Sequence, residues 1–343
     1  MVARPRSHEF EPEGSETVSI LFVGDLMCMG NDRVPDIDPR LRALVSSADL
    51  VIGNCEAPVT RSSARPDASY LFAFEMAEEY LRTFLERLGV RRGRCVLSVA
   101  NNHIGDQGRQ GLEATLRRLR SLGVTPVGHR TRDGPIVSVR VGAVGVTVAA
   151  WTNWMNQDVF DAGEGVWRTD QIAQIPERAW AERKENLATD CLIGSPHWDY
   201  EFRHFPASET RALARRLMGD GFDLLVGHHP HVVQPIEWLD GGICLYSVAN
   251  LNGPTSLLVS WPSRLLGVFE VRLMAAGRFR GRVAGYTLHP FVQLGRKRDV
   301  SIVPLDGAPR RLRLKLEERL QLVYPPTRSE TSSVPGPGGW TRR

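Results

Sequence analysis

The stretch DLLVGHHPH, Asp223 to His231, is a short aliphatic run that stops at a glycine and is followed by three histidines within four positions. Asp223 to Val226, stopped by Gly227, reads as a short strand of a largely buried sheet. Three imidazoles clustered at a strand end have no good packing purpose. As neutral rings they are metal ligands and as titrating groups they are proton carriers.

The same grammar recurs upstream. Ser19 to Val23 runs into Gly24-Asp25, and Asp49 to Ile52 into Gly53-Asn54-Cys55-Glu56. Cys95 to Val99 runs into Asn101-Asn102-His103-Ile104-Gly105-Asp106, and Asp190 to Ile193 into His197-Trp198-Asp199-Tyr200-Glu201. Further strands are expected over Ile136 to Val139, Val144 to Ala149, Ile243 to Ser247 and Leu266 to Val271. Gly108 to Leu122 places Leu112, Leu116, Leu119 and Leu122 on one helical stripe with Gly123 as its stop, and Ser208 is placed to cap a helix to Gly219. Short apolar runs alternating with helical segments define an α/β protein. In that class the loops at the carboxyl ends of parallel strands share one rim, so five strand-end motifs distant in sequence are expected to meet in one site.

The chain has 343 residues, 42% hydrophobic and 24% charged, which suits a globular protein and excludes collagen-like repetition or wholesale disorder. The polar segment 1–16 and the Pro/Gly/Ser-rich segment 325–343 read as disordered tails around a single folded domain, 17–324. The longest nearly apolar stretch, Val141 to Trp151, is too short to span a bilayer, and no apolar leader follows the first arginines. A cytoplasmic protein that does not bind membrane is therefore expected. Five cysteines without a CxxC pair suit reduced thiols. The net charge of +4 is not gathered into a basic patch with interleaved aromatics, so no nucleic-acid partner is expected.

Carboxylate, amide and imidazole together form a mixed oxygen and nitrogen donor set, suited to Ca, Mn, Zn or Fe, with no organic cofactor implied. Taken singly, each motif has a bland reading. Gly24-Asp25 can be a turn, Asn102-His103 can cap a helix, and His197 can be a satisfied core histidine. His8, His129, His204 and His289 are read as structural, and Trp198 and Trp238 as walls of the cleft.

The ordered set GDLM, GNCE, ANNHIGDQG, PHWDYE, GHHPHVVQPIE and LYSVAN resembles the CapA family, the poly-γ-glutamate capsule-synthesis group, over about residues 18–290. That resemblance implies a calcineurin-like metallophosphoesterase sandwich, with two β-sheets flanked by helices and a metal site on one rim. It also implies Asp25, Glu56, Asn102, His197, His229 and His231 as metal ligands and His103 as the acid/base histidine. The departures are specific. Met27 stands where the phosphoesterases of this superfold carry a histidine ligand, Asp199 where the family carries glycine, and Val248-Ala249-Asn250 where Leu-Gly-Asn is common. Capsule proteins of the family are anchored and face outward.

Three functions compete. The favoured one is epimerisation of a peptide substrate, a ribosomal precursor peptide, since a CapA-like branch in lasso-peptide clusters performs it. Proton exchange at a Cα asks for two carriers, and the pairs His103 with Asp106 and His197 with Asp199 are the candidates. Because a ligated His197 is not a free base, His228 is the reserve carrier. The alternatives are metal-dependent hydrolysis of a phosphoester or amide, and a noncatalytic metal-bearing scaffold. The sequence leaves the oligomeric state open.

Overall fold

The computed structural model describes residues 6–9, 16–28, 33–61, 73–161, 164–239, 241–253, 261–296 and 299–323. The expected second tail, 325–343, lies outside the described residues.

Two sheets carry the architecture. The larger contains β1 (Arg6–Glu9), β2 (Thr17–Leu26), β3 (Asp36–Ile37), β4 (Leu50–Cys55), β7 (Cys95–Ser98), β8 (Thr125–Val127), β15 (Asn250–Asn252), β16 (Leu265–Met274), β17 (Val283–Arg296) and β18 (Asp299–Pro304). The smaller contains β9 (Ile136–Val141), β10 (Val144–Thr152), β11 (Cys191–His197), β12 (Leu224–Val226), β13 (Ile236–Leu239) and β14 (Gly242–Leu245), while β5 (Val59–Thr60) and β6 (Met76–Ala77) pair separately. Helices α1 (Pro39–Ser47), α2 (Glu78–Leu88), α3 (Gly108–Ser121), α4 (Thr169–Ala173), α5 (Ala179–Asn186), α6 (Ser208–Gly219) and α7 (Arg310–Val323) accompany them. The large sheet runs β3-β18-β17-β16-β2-β4-β7-β8, and the small one β13-β14-β12-β11-β10-β9.

Each sheet contains a parallel block: β2, β4, β7 and β8 form one end of the large sheet, and β10, β11, β12 and β14 the centre of the small one. Central parallel strands are covered on both faces and read as continuous apolar runs, which is why β11 and β12 are buried throughout. Phe22, Val51, Val96, Val148, Ile193 and Phe269 belong to the main core, each 2% exposed or less. A second core packs Trp180, Leu217 and Met218 from α5 and α6 against Trp151, Leu192, Leu225 and Tyr246. Full burial of such side chains contributes about 1.5–3 kcal/mol apiece before entropy is counted. Trp198, expected as a cleft wall, is instead a member of this second core, its indole N–H donating to the Tyr246 carbonyl at 2.9 Å.

All nine expected strands and both expected helices are present, with corrections at three places. Residues 6–9, read as part of a disordered tail, form β1 along Gly285 to Leu288 of β17. The cause is geometric: β18 pairs only with Phe291 to Arg296, so the first half of β17 offers an open edge. Ser208 does not cap α6. Ala207 occupies the cap position, and the Ser208 hydroxyl turns to Glu209 at 3.2 Å. The long antiparallel β17, β18 and helix α7 were not anticipated, because the strand-end signal that marks the site is missing there.

Candidate metal centre

Parallel register delivers the donors. Asp25 pairs with Asn54 across β2 and β4, Thr152 with His197 across β10 and β11, and His197 bridges to His228. The carboxyl ends of both sheets thus open on one spot. Close approach at that spot needs glycine. A Cβ on Gly24 would sit 2.0 Å from the Ala249 carbonyl oxygen, and one on Gly227 2.0 Å from that of Tyr246.

Asp25, Glu56, Asn102, His197, His229 and His231 converge there, and all six are buried. Three donor groups have their ligand atoms mutually within 4.8 Å: Glu56 with His197 and His229, Asp25 with Glu56 and His231, and Glu201 with His229 and His231. Around His197 Nε2 lie Asn102 Oδ1 at 2.8 Å, His229 Nδ1 at 3.0 Å and Glu56 Oε1 at 3.2 Å. One imidazole proton cannot satisfy three electron-rich neighbours. Among the described residues, both Glu56 oxygens and His229 Nε2 are buried without a hydrogen-bond partner. A buried carboxylate left unpaired costs several kcal/mol, so the donor set fits a divalent cation between these atoms.

Electrostatics agree. Burial pushes the Glu56 carboxyl well above its ordinary range, with the Asp25 charge adding to it. Burial acts in the same sense on Asp25, but the adjacent His228 and His231 rings outweigh it and hold that carboxyl well below the usual range. Burial, reinforced by neighbouring His231, lowers His229 to about 3, and burial with His229 lowers His197 well below normal, so both rings are neutral donors. Burial also opposes charge on His231, yet the Glu56 and Asp25 carboxylates raise it to about 10. A proton there stands in for the missing positive charge.

The ligands are held by asparagines. Asn54 donates to Asp25 Oδ1 at 2.8 Å and touches His197 Nδ1 at 3.2 Å, and Asn101 donates to Asn54 Oδ1 at 3.1 Å. Asn250 Oδ1 meets His231 Nδ1 at 2.9 Å. Such partners fix ring orientation and tautomer. His229 and His231 adopt φ of +94° and +55°, left-handed backbone costing about 1–3 kcal/mol each and tolerated where surroundings over-determine it. The Asp25 carboxylate does so in part by accepting the His229 N–H at 3.1 Å.

Beside this cluster stands His103, the expected acid/base residue. His103 Nδ1 lies 2.7 Å from Asp106 Oδ2, the same oxygen accepts the Phe74 N–H, and the Phe74 ring stacks on the imidazole at 3.6 Å. The other expected pair does not form. Asp199 is turned away from His197, accepting the N–H groups of Tyr200 and Ala207 at 3.0 Å each. A buried aspartate finds its donors locally, in the loop leading to α6. His228, the reserve carrier, is 1% exposed with Nδ1 3.1 Å from Asp25 Oδ1. Asn54, Asn101, Asn250 and Glu201 lay inside the quoted motifs without an assigned role, whereas Phe74 and Trp154 carried no signal of their own.

The rim is aromatic, with Glu201 and Arg203 giving it one exposed charge of each sign. Tyr200, Phe202 and Phe205 are exposed. Trp154 stands edge-on to His229 at 4.7 Å, and Phe202 lies 5.8 Å from His231. No described helix is long and apolar enough to cross a membrane.

Residues 19–253 match the family model described as bacterial capsule synthesis protein PGA_cap. The chain is similar to the PGA biosynthesis protein CapA of Bacillus subtilis, 30% identical over 256 residues, or 68% of this chain and 63% of that one. It is also similar to a probable polyglutamine synthesis accessory protein of Mycobacterium tuberculosis, 30% identical over 46% of this chain and 44% of the other. The chain thus spans less than two thirds of the length of either relative. A solved structure of a novel phosphatase from Mycoplasma pneumoniae aligns with 81% of this chain and 94% of its own at TM-score 0.48 and 12% identity.

Proposed function

The chain belongs to the bacterial capsule synthesis family, and from that membership we propose a metal-dependent acid/base enzyme that epimerises a peptide by exchanging the proton at one Cα. The favoured substrate is a ribosomal precursor peptide of the lasso type, processed in the cytoplasm, where five cysteines without a CxxC pair stay reduced. The observation that carries this reading is the rim. Trp154, Tyr200, Phe202 and Phe205 suit apolar peptide side chains. The relatives' names, PGA biosynthesis and polyglutamine synthesis, also speak of chains of amides.

Asp25, Glu56, Asn102, His197, His229 and His231 would hold the ion, with Ca, Mn, Zn and Fe all compatible with the donors. When bound, it supplies positive charge beside a substrate carbonyl, which acidifies the adjacent Cα–H. His103 does the proton work. Asp106 on Nδ1 fixes the tautomer and leaves Nε2 as the atom that takes the Cα proton. With His197 and Asp199 engaged elsewhere, the proton returned to the opposite face comes from solvent at the open rim.

Hydrolysis is the second reading, favoured by one feature: Glu56 belongs to two donor groups at once, as a carboxylate between paired ions does. Mass spectrometry in deuterated water separates the two, with precursor peptides beside poly-γ-glutamate and generic phosphoesters. Epimerisation predicts gain of a single deuterium at one Cα without cleavage. Released phosphate or a shortened chain with no deuterium at carbon returns the protein to the hydrolases.

A further inference from the structure

We propose that Glu201 is a metal ligand of this centre, an oxygen donor entering from the rim on the side where Met27 withholds an imidazole. The inference rests on the metal-centre reading above.

Met27 is buried and its backbone is fixed to Asn252, its N–H donating to the Asn252 carbonyl at 3.0 Å and its own carbonyl accepting the Asn252 amide at 2.6 Å. That half of the centre is left with Asp25, Glu56 and His231, two oxygens and one nitrogen. Hard divalent cations take six or more donors, mostly oxygen, so the set is short. Glu201 has a carboxylate oxygen within 4.8 Å of donor nitrogens of both His229 and His231. It shares His231 with the Asp25 group and His229 with the His197 group, and so lies against both halves. The buried, unpartnered Glu56 oxygens and His229 Nε2 independently mark the place where positive charge is missing.

The backbone holds Glu201 there. The next residue, Phe202, donates its N–H at 2.9 Å to the carbonyl of Pro230, the residue that separates the two histidines. Asp199 and Phe202, at φ +67° and +60°, bracket the Tyr200-Glu201 step. The rim loop is clamped from behind, since Arg319 of α7 donates to the carbonyls of His204 and Val233. A third carboxylate also raises the oxygen share of the donor set, favouring Mn²⁺ or Ca²⁺ over Zn²⁺.

The test is calorimetric titration of the full chain with Mn²⁺ alone, comparing the parent with Glu201→Gln and with Arg203→Ala, a rim change that removes the guanidinium stacked on Tyr200. Glu201→Gln should weaken Mn²⁺ binding by at least about ten-fold and Zn²⁺ binding by less, while Arg203→Ala binds as the parent does. Unchanged Mn²⁺ affinity and stoichiometry in Glu201→Gln overturns the assignment and leaves the centre standing. An equal loss in Arg203→Ala also overturns it, because integrity of the rim would then be the cause. A parent that binds neither Mn²⁺, Ca²⁺ nor Zn²⁺ removes the centre itself.

Discussion

The floor and the rim of the site are built by different means. On the floor, Asp25, Glu56 and His197 stand at strand ends whose register is set by neighbours on either side, and each is at most 2% exposed. On the rim, Tyr200 to Phe205 belong to a loop whose aromatic rings face solvent and whose course depends on a few hydrogen bonds and two left-handed residues. Sheet register gives the floor positional accuracy at the expense of buried charge. The loop gives the rim access and variability, as expected where a scaffold carries recognition on its connections.

Substitutions on the floor should therefore strike binding of the ion and turnover together, while those on the rim should strike substrate affinity alone. The largest effect is expected from Asp25→Ala, which should lower bound metal and activity together by more than about 100-fold. Elemental analysis beside turnover checks this, and full activity in a metal-free variant would break the distinction between the regions. Next comes His103→Ala, with a loss of about 10²- to 10⁴-fold in kcat at unchanged metal content. Unaltered turnover would make the protein a scaffold.

A third outcome concerns pH. In the ion-free centre His231 holds a proton up to about pH 10, and a cation has to displace it. Apparent affinity should thus rise with pH across the neutral range, by about ten-fold per unit for each proton released. Calorimetry in two buffers of different ionisation enthalpy measures that release. Binding without proton release would mean that the ion avoids His231. The smallest effect is expected from Tyr200→Ala or Phe202→Ala: a rise in KM of about ten-fold with kcat kept and stability within about 0.5 kcal/mol. A fall in kcat with KM unchanged would move the aromatic rim into the chemistry.

The same division decides what the sequence reveals. Donors at the ends of central strands are legible because an apolar run followed by Gly and a polar residue reports both the strand and its carboxyl end, and parallel register then brings the ends together. Glu201 and the true partners of Asp199 were hidden. Which way a loop carboxylate points depends on left-handed backbone at Asp199 and Phe202, and a phenylalanine does not advertise that conformation. Phe74 reaches His103 from a segment with no periodic pattern, so nothing local announces the stacked pair. The strands β17 and β18 carry no polar donor motif at their ends to announce them, and β1 pairs only because an edge elsewhere in the sheet is open to it.

The clamp of Arg319 on His204 reaches across 115 positions of the chain. A polypeptide emerging from the ribosome N-terminus first has every floor donor before α7 exists to fasten the loop behind Glu201. Metal capture and completion of the substrate mouth are then separate events in time. A nascent chain could take up its ion while its rim is still loose, and selectivity for substrate would be the last property the protein acquires.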